Sequence, residues 1–371
     1  MKWPLVDLTN LCRPKQWPTI AKSELTVSGY PVYGANGRIG YYSEYNHGEP
    51  TILITCRGAT CGTINVCDPK SYVTGNAMAL DDLDRDRADL RFMVHALRQA
   101  DFSSVITGVA QPQITRQTIS RLRVPLPSLE EQKRIAAILD AADALRAKRR
   151  ETLAQLDTLL HATFLDMFGD PVTNPKGWKT GVIGDLLQSA KYGTSKKASE
   201  TDGSIPVLRM NNISYSGEWD FTNLKYIDLD EKEVGKYLVR KHQILFNRTN
   251  SKELVGKTAV YREERPMAFA GYLVRAIVRE DADPEYVGAY MNLPSTKKYL
   301  QNKCKNIVGM ANINAKEFRA IPIQKPPFEL QRRFGVVVGS AEKQKVSHRE
   351  HLAELDTLFA SLQARAFRGE L

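Results

Sequence analysis

Two short stretches combine residue types that hold phosphates or bases in enzymes. Gly256-Lys257-Thr258 has the ending of a Walker A loop, but Ser251 stands where the first glycine of that motif belongs. Pro326-Pro327-Phe328 has the Pro-Pro-aromatic part of the motif with which amino-methyltransferases hold a flipped base. The preceding residue, Lys325, cannot accept a hydrogen bond from a target amine. We therefore predict neither nucleotide binding nor methyl transfer by these residues.

A third candidate is a group of cysteines. Cys56, Cys61 and Cys67 lie close together in the sequence, with His47 nearby. The CxxC spacing of common structural zinc sites is missing, and cysteine is a frequent small residue of buried strands. The odd total of five cysteines, together with the lack of a secretory signal, also argues against a disulfide scaffold. We predict no metal site.

Acid-base chemistry has equally little support. No nuclease-like pairing of acidic residues with a lysine stands out, and His161, His348 and His351 fall in long helical patterns. The sequence therefore predicts a chain that is not an enzyme.

The charge of the chain indicates a different kind of work. It has 52 Lys and Arg against 42 Asp and Glu, a net charge of +10 and a pI near 9.2. Such a balance favours nucleic acid as a partner. Many of the cations lie between residues 191 and 262, interleaved with Tyr192, Tyr237 and Tyr261. They are Lys191, Lys196, Lys197, Lys236, Arg240, Lys241, Arg248, Lys252, Lys257 and Arg262. For any one of them, a solvated surface position is the simpler interpretation.

Two long helices must position these residues. A capping-box pattern at Ser128-Leu129-Glu130-Glu131 begins the first, and Gly169 followed by Asp170-Pro171 ends it. Apolar residues recur between them at intervals of three and four, so a helix from Leu129 to Met167 is predicted. At about 1.5 Å per residue it would be roughly 60 Å long, which requires a partner for its apolar stripe.

That partner is an internal copy. Leu156-Asp157-Thr158-Leu159 recurs as Leu355-Asp356-Thr357-Leu358, an offset of 355 − 156 = 199 that holds from Ile114/Ile313 to Phe168/Phe367. Fifteen of these 55 positions are identical, where composition alone would give roughly three or four. The repeat predicts a second helix from Phe328 to Phe367. Connectivity makes the pair antiparallel, with a globular lobe at each end and the chain termini close together.

The stripe residues are the candidates for helix pairing or for docking of a partner. They are Ile135, Ile138, Leu145, Leu156, Leu159, Phe334, Val337, Leu355 and Leu358. Polar residues interrupt both stripes at the middle, with Arg149 and Thr152 answered by His348 and His351. These residues either fix the register of the pair or line a solvated gap, and the sequence leaves both interpretations open.

The lobes share an outline, a mixed α/β (α+β) pattern of short strands. A strand over Thr51–Cys56 runs into the turn Arg57–Gly62, and Gln243–Asn247 followed by Arg248 repeats the strand-then-arginine pattern. An arginine and glycines in a turn can approach a phosphate or a base edge, although most such turns are merely solvated. A short helix over Asp89–Ala100 is also predicted, as are related loops over Thr107–Ile114 and Gly309–Ile313.

The predicted domains follow these patterns. They are a first lobe at 1–126, a first spacer helix at 127–169, a second lobe at 170–325 and a second spacer helix at 326–371. No stretch has the apolar length of a signal peptide or a membrane span, so a cytoplasmic protein is expected.

Four segments of the sequence are distinctive together: Tyr30–Gly37, Ile52–Gly62, Ser71–Met78 and Pro127–Ile135, with a second copy of the last at 326–334. With them the chain resembles one known family, the specificity subunits of type I restriction-modification systems. The resemblance covers the whole chain and implies two target-recognition domains joined by the antiparallel helices in a pseudo-two-fold, circular organisation. Each domain would read one half of a bipartite site in double-stranded DNA, with the helices setting the separation.

The resemblance also implies partners. Two methyltransferase subunits would dock on the spacer helices, and motor-endonuclease subunits would join them. S-adenosylmethionine, ATP and Mg²⁺ would belong to those subunits, so no cofactor is expected in this chain. Lys325, Leu330 and Val336–Val338 depart from the first copy, so the two docking sites are expected to differ in strength.

Loop position and side-chain chemistry together select candidate DNA contacts. They are Tyr33, Asn36, Arg57 and Thr60 in the first lobe, and Arg209, Asn211, Arg248, Asn250 and Lys252 in the second. The alternative function is a helix-paired structural adaptor that binds proteins instead of DNA. It accounts for the helices, but not for the basic second lobe.

Overall fold

The computed structural model describes residues 3–108, 111–307 and 310–371. The predicted loops at Thr107–Ile114 and Gly309–Ile313 therefore fall partly outside the described residues. The chain divides into two compact units, Met1–Arg150 with Glu350–Leu371 (unit 1), and Glu151–Arg349 (unit 2). Both long helices are shared between the units.

Unit 1 contains short strands, two short helices and the outer parts of the long helices. Its strands are β1 (Leu5–Asp7), β2 (Arg13–Gln16), β3 (Tyr30–Gly34), β4 (Gly37–Tyr42), β5 (Ile52–Thr55), β6 (Ile64–Val66), β7 (Tyr72–Val73), β8 (Ala77–Asp81) and β9 (Arg123–Pro125). Its helices are α1 (Leu90–Gln99), α2 (Arg116–Ile119) and the first half of α3 (Leu129–Phe168). Turns of 3-10 helix cover Leu8–Asn10 and Lys22–Glu24.

The strands of unit 1 form three sheets. An antiparallel sheet has the order β2-β8-β5-β6, a second has the order β4-β3-β7, and β1 pairs with β9. In the second sheet β3 runs parallel to β7. Asp89 caps α1 by accepting from the amides of Arg91 and Phe92, which confirms the helix predicted there.

Unit 2 repeats these elements with additions. Its strands are β10 (Thr180–Val182), β11 (Leu187–Tyr192), β12 (Ile205–Leu208), β13 (Lys225–Ile227), β14 (Leu238–Val239), β15 (Ile244–Asn247), β16 (Thr249–Asn250), β17 (Thr258–Val260), β18 (Met267–Phe269), β19 (Leu273–Val278), β20 (Lys305–Ile307), β21 (Met310–Asn312) and β22 (Pro322–Gln324). Its helices are α4 (Glu231–Tyr237), α5 (Pro284–Asn292), α6 (Pro294–Lys303), α7 (Ala315–Arg319) and the first half of α8 (Phe328–Arg368). Turns of 3-10 helix cover Ile183–Leu186 and Met210–Asn212.

The sheet orders of the two units match. In unit 2, β11-β19-β15-β17 answers β2-β8-β5-β6, and β10-β22 answers β1-β9. The parallel pairing of β12 with β18 answers that of β3 with β7. The sheet β16-β21-β20 extends pairings that unit 1 has as the single bridges Arg57↔Gln113 and Thr107↔Gln113. Unit 2 adds the strand β14 and the helices α4 and α6. The prediction of two similar lobes is therefore confirmed.

A glutamine at the start of each long helix joins it to its lobe. In unit 1 the buried Gln132 side chain donates to the carbonyls of Arg87 and Pro127, and accepts from the amide of Asp89 at 2.8 Å. In unit 2 its repeat equivalent Gln331 donates to the carbonyl of Pro326 and accepts from the amide of Asp283 at 3.1 Å. Asp89 and Asp283 cap α1 and α5 respectively. Each glutamine thus connects the start of a long helix to the start of a lobe helix.

Tryptophans make a second pair of equivalent contacts. The indole of Trp3 donates to the carbonyl of Ala366 at 3.0 Å, and that of Trp178 donates to the carbonyl of Phe168 at 2.8 Å. Each bond satisfies a carbonyl in the last turn of a long helix, where no helical amide is available.

The long helices run antiparallel within each unit. In unit 1, Arg146 on α3 pairs with Asp356 on α8 at 2.6 Å and with Asp143 at 2.7 Å. In unit 2, Lys345 on α8 pairs with Asp157 on α3 and with Glu342. The offset of 199 relates Arg146 to Lys345, Asp356 to Asp157, and Asp143 to Glu342. One ion pair therefore occurs twice, in equivalent positions.

The burial of the stripe residues corrects part of the pairing prediction. Ile135 and Phe334 are buried, while Ile138, Leu156 and Leu355 are half-buried. Leu145, Leu159, Val337 and Leu358 are instead exposed, by 55%, 54%, 37% and 48%. Next to Leu145, Arg146 on α3 pairs with Asp356 on α8, so an ion pair lies where apolar packing was predicted. No helix in the described parts of the chain is long and apolar enough to cross a bilayer.

Candidate nucleic-acid interface

Three segments of unit 1 meet at one side of its sheets. They are the β3–β4 turn, the β5–β6 loop and the described part of the 107–113 segment, which together we call the first loop surface. The hydroxyl of Thr55, at the end of β5, donates to the carbonyl of Ala35 in the turn. The amide of Gly58 donates to the carbonyl of Pro112 at 3.0 Å. These bonds hold the three segments against one another.

Three predicted contact residues lie on the first loop surface. Asn36, Arg57 and Thr60 are all exposed. The hydroxyl of Thr60 donates to the side-chain oxygen of Asn36 at 2.6 Å. This bond does not involve the amide nitrogen of Asn36. Arg57 forms a β-bridge with Gln113 through the backbone. The surface thus presents amide and guanidinium groups, which have the geometry to read base edges.

Tyr33 does not belong to this exposed group. Its side chain is buried among Leu53, Val73 and Ala79, and its hydroxyl donates to Asp68 at 2.7 Å. Burial, with the Asp68 hydrogen bond, raises the pKa of Tyr33 above its ordinary value. Val32, Tyr33 and Gly34 are all buried in β3, and the strand register shifts between Val32 and Tyr33. Tyr33 therefore lies inside, and the prediction that it faces DNA is corrected.

Corresponding segments of unit 2 form the second loop surface. They are the 209–224 connection, the 248–257 loop, and β16 with β21. The amine of Lys257 donates to the carbonyl of Met210 at 3.3 Å, linking the first two segments. β16, which lies in the 248–257 loop, pairs with β21 through Thr249↔Asn312 and Asn250↔Ala311, and this pairing joins the third segment to the loop.

The second loop surface holds all five residues predicted in unit 2. Asn211 and Lys252 are exposed, while Arg209, Arg248 and Asn250 are half-buried. Arg209 donates to the carbonyl of Asn223 at 2.7 Å. The side-chain oxygen of Asn250 accepts from the amide of Ser251 at 2.9 Å. The guanidinium carbon of Arg248 lies 4.8 Å from the centre of the Tyr192 ring.

Hydrogen bonds establish which residues of the two loops correspond. Thr55 bonds through its backbone to Gly62 and Thr63, and Asn247 bonds in the same way to Gly256 and Lys257. Cys56 therefore corresponds to Arg248, and Arg57 corresponds to Thr249. A second pair of hydrogen bonds supports this correspondence. The carbonyl of Cys56 accepts from the amide of Ile114, and the carbonyl of Arg248 accepts from the amide of Ile313, the repeat equivalent of Ile114.

This register corrects the predicted equivalence of Arg57 and Arg248. The two arginines differ by one strand position, and neighbouring positions of a strand point to opposite faces. They therefore occupy different places on otherwise matching loops.

The cations of unit 2 divide into surface and interior groups. Seven of the ten are exposed, namely Lys191, Lys196, Lys197, Lys236, Arg240, Lys241 and Lys252. Among these, Lys196 pairs with Glu233, and Lys241 with Glu264. Lys257 is buried, and Arg262 pairs with Glu285 at 2.6 Å. Lys257 and Arg262 are therefore structural, whereas the exposed lysines can approach phosphates.

Lys257 of the Walker-like stretch and Cys56 of the cysteine group are both buried in the lobes. Lys257 points to Met210, and the hydroxyl of Thr258 donates to the carbonyl of Gly256 at 3.0 Å. Cys56 is fully buried beside Gln16, and burial raises its pKa. Within residues 3–108, 111–307 and 310–371, no group of three His, Cys, Asp or Glu side chains is arranged to hold a metal ion.

Sequence reasoning missed polar residues on both surfaces. Gln111 and Gln113 are exposed in the segment that pairs with Arg57 through Gln113. The internal repeat begins directly after them at Ile114, and this marked the segment as the connection that leads into the repeat. Tyr192 was noted only as an aromatic among cations. No local pattern showed that it would lie beneath Arg248.

Comparisons with known proteins agree with this geometry. The profile of a family described as "Type I restriction modification DNA specificity domain" matches residues 1–156 and 175–336. The EcoKI specificity subunit of Escherichia coli strain K12 is 25% identical over 333 residues, which cover 85% of this chain and 68% of that protein. The StySPI specificity subunit of Salmonella potsdam is 24% identical over 334 residues, with the same two coverages.

A solved structure shares the fold. The type I restriction-modification system S subunit from M. genitalium superposes with a TM-score of 0.64 at 18% identity, over 99% of this chain and 96% of that one. The family match spans well over half of the present sequence. This chain therefore belongs to the type I restriction-modification DNA specificity family, and its role is the recognition of a DNA sequence.

Proposed function

We propose that each unit reads one half of a bipartite site in double-stranded DNA, with unspecified base pairs between the halves. The observation that carries this proposal is the pair of loop surfaces. Their backbones share one hydrogen-bond register, but the side chains on them differ. A duplicated scaffold with different exposed groups suits the reading of two different half-sites.

Two kinds of contact divide the work. Exposed lysines such as Lys191, Lys197 and Lys252 neutralise phosphates, which gives affinity that falls with salt but carries no sequence information. Asn36, Arg57, Asn211 and Arg248 supply the amide and guanidinium groups that distinguish base edges.

Partner subunits carry out the chemistry. Two methyltransferase subunits dock on the long helices, where Leu159 and Leu358 occupy equivalent repeat positions and are both about half exposed. The methyltransferases modify an adenine in each half-site, and motor-endonuclease subunits cleave DNA. S-adenosylmethionine, ATP and Mg²⁺ bind to those partners, this chain is non-catalytic, and the complex works in the cytoplasm.

The methylation pattern of a host tests the proposal. Genomic adenine methylation is mapped in a host that expresses this chain with its neighbouring methyltransferase, and in the same host without the chain. We expect a split motif with a fixed gap only when the chain is present. Methylation that is independent of the chain, together with no salt-dependent DNA affinity of the purified complex, would contradict the proposal and favour the adaptor function.

A further inference from the structure

We propose that unit 2 reads a guanine through Arg248, and that Tyr192 is the platform that positions this arginine. The inference deepens the proposed function and rests on it. It assigns one base to one half-site, and a positioning role to a tyrosine outside the predicted contact set.

The tyrosine ring is fixed at its far end. The hydroxyl of Tyr192 accepts a hydrogen bond from the amide of Ala315 at 2.8 Å. That amide belongs to the first residue of α7, where no helical carbonyl is available to it. The ring itself remains 43% exposed at the end of β11. Tyr192 is thus held in place while one face of its ring stays available to Arg248.

The guanidinium lies on this ring without a partner of its own. Its carbon is 4.8 Å from the ring centre, and its Nε is buried with no hydrogen-bond acceptor among the described residues. Other arginines of unit 2 are engaged: Arg262 with Glu285, and Arg349 with Glu218. Arg248 has no such carboxylate in the described chain, so its outward donors are available to a ligand.

The chemistry of an ordered arginine selects a guanine. A guanidinium presents two parallel donors, which match the O6 and N7 acceptors of guanine in the major groove. Stacking on an aromatic ring orients the plane of the fork before binding, which reduces the entropy lost when the bonds form. A phosphate contact would need only positive charge, and Lys191 and Lys252 already supply charge nearby.

The corresponding position in unit 1 is filled differently. Gln16 and Ile54 both pair with Met78, just as Tyr192 and Phe246 both pair with Val274. Gln16 therefore corresponds to Tyr192, as Cys56 corresponds to Arg248. The side chain of Gln16 donates to Cys56 and to the carbonyl of Gly75, both at 3.0 Å. Because Cys56 is fully buried, this position in unit 1 offers no outward donor, and the guanine belongs to the half-site of unit 2.

Four variants separate a base contact from a phosphate contact. Arg248→Ala and Arg248→Lys, Tyr192→Ala and Tyr192→Phe are each expressed with the neighbouring methyltransferase, and the methylation motif is mapped. Arg279→Ala is the matched control, since Arg279 is an exposed arginine of unit 2 that pairs with Asp281. Circular dichroism and DNA affinity at two salt concentrations are measured on the purified complexes.

We expect the wild-type motif to contain a guanine at which Arg248→Ala loses discrimination by roughly tenfold to a hundredfold. Arg248→Lys should lose it as well, while its overall affinity and salt dependence stay close to wild type. Tyr192→Ala should follow Arg248→Ala, and Tyr192→Phe, which keeps the ring, should lose less. Arg279→Ala should leave the motif unchanged.

Three results would overturn parts of the account, and the first two would overturn the inference alone. If the wild-type chain directs a split motif but Arg248→Lys retains full discrimination, Arg248 contacts a phosphate and the inference fails alone. The inference also fails alone if the relaxed position holds a base other than guanine. If no split motif exists, the proposed function fails and the inference fails with it.

Discussion

Units 1 and 2 share a backbone plan but are fastened to the long helices in different ways. In unit 1, Asp140 on α3 accepts from His95 at 2.7 Å and from Arg91 at 3.3 Å, both on α1. In unit 2 the repeat equivalent of Asp140 is Gly339, and a buried lysine on α8 takes over the anchoring. The comparison teaches that the hydrogen-bond register is what the two copies retain, whereas the charged anchors have been exchanged.

The ion pair that the repeat places in both units is more buried in unit 2 than in unit 1. Lys345 is 4% exposed and contacts Asp157, Glu218 and Glu342. Burial alone would raise the pKa of Glu218, but Lys345 and Arg349 outweigh it and hold that pKa below its ordinary value of 4.5. In unit 1, Arg146 is 18% exposed, and its partners Asp143 and Asp356 are more than a third exposed. Solvent therefore screens the unit 1 pair more strongly.

The largest expected effect comes from removing these cations. Lys345→Met removes the cation shared by Glu218 and Glu342, both less than a third exposed, and leaves them only Arg349 and Arg262. We expect it to lower the opening free energy of unit 2 by about 3 kcal/mol. Arg146→Met should lower that of unit 1 by only about 1 kcal/mol, because its partners are solvated. Hydrogen exchange followed by mass spectrometry measures each unit separately. Equal losses would show that the difference in burial has no energetic consequence.

The second prediction concerns the two glutamines. Gln132→Ala removes three hydrogen bonds and Gln331→Ala removes two. At roughly 1 kcal/mol for each bond, losses of about 3 and about 2 kcal/mol are expected. Exchange of the amides of Asp89 and Asp283, which lose their acceptor, provides the local readout. The neighbouring exposed Arg134→Ala and Arg333→Ala variants are controls, and a larger loss from Gln331→Ala would reverse the proposed order.

The third and smallest effect is a difference in pH dependence. Burial, with the nearby charge of Lys257, lowers the pKa of Lys297 from 10.5 to about 7. The unfolded chain then binds more protons than unit 2 between these values, so stability rises with pH there and is lost as pH falls towards 7. In unit 1, burial and then Asp81 raise the pKa of the Cys12 thiol from 9.0 to about 12, so its contribution is lost only above about pH 9.

We therefore expect unit 2 to gain up to about 2 kcal/mol of opening free energy from pH 7 to pH 9, while unit 1 stays level. Lys297→Met should remove most of the gain, and Lys257, whose pKa burial also lowers, should supply the rest. The measurement is hydrogen exchange at both pH values, corrected for the intrinsic exchange rate. A gain that persists undiminished in Lys297→Met would assign the pH dependence to another group.

Helices and repeats could be predicted because their signals are local and periodic. Ser128 does accept from the amide of Glu131, at 3.4 Å, and α3 ends at Phe168 beside Gly169 as predicted. The offset of 199 also indicated which residues of the two helices correspond. Helix ends and repeat equivalences can be predicted from a single sequence because they depend only on the spacing of residues along it.

Side-chain direction could not be predicted in the same way. The strand-then-arginine similarity aligned Arg57 with Arg248, but a shift of one residue reverses the face of a strand. Tyr33 shows a related limit, since it is buried together with both of its neighbours in β3, which strand alternation does not predict. The burial of Lys345 depends on Glu218, 127 residues away, and no pattern along the chain indicates a contact between them.

The central claim is that the two loop surfaces read separate half-sites. The most direct measurement compares the methylation motifs of Arg57→Ala and Arg248→Ala, each expressed with the neighbouring methyltransferase, against the wild-type motif. We predict that each variant relaxes one half-site and leaves the other intact, and that the two variants relax different halves. If either variant weakens both half-sites equally, the claim is contradicted.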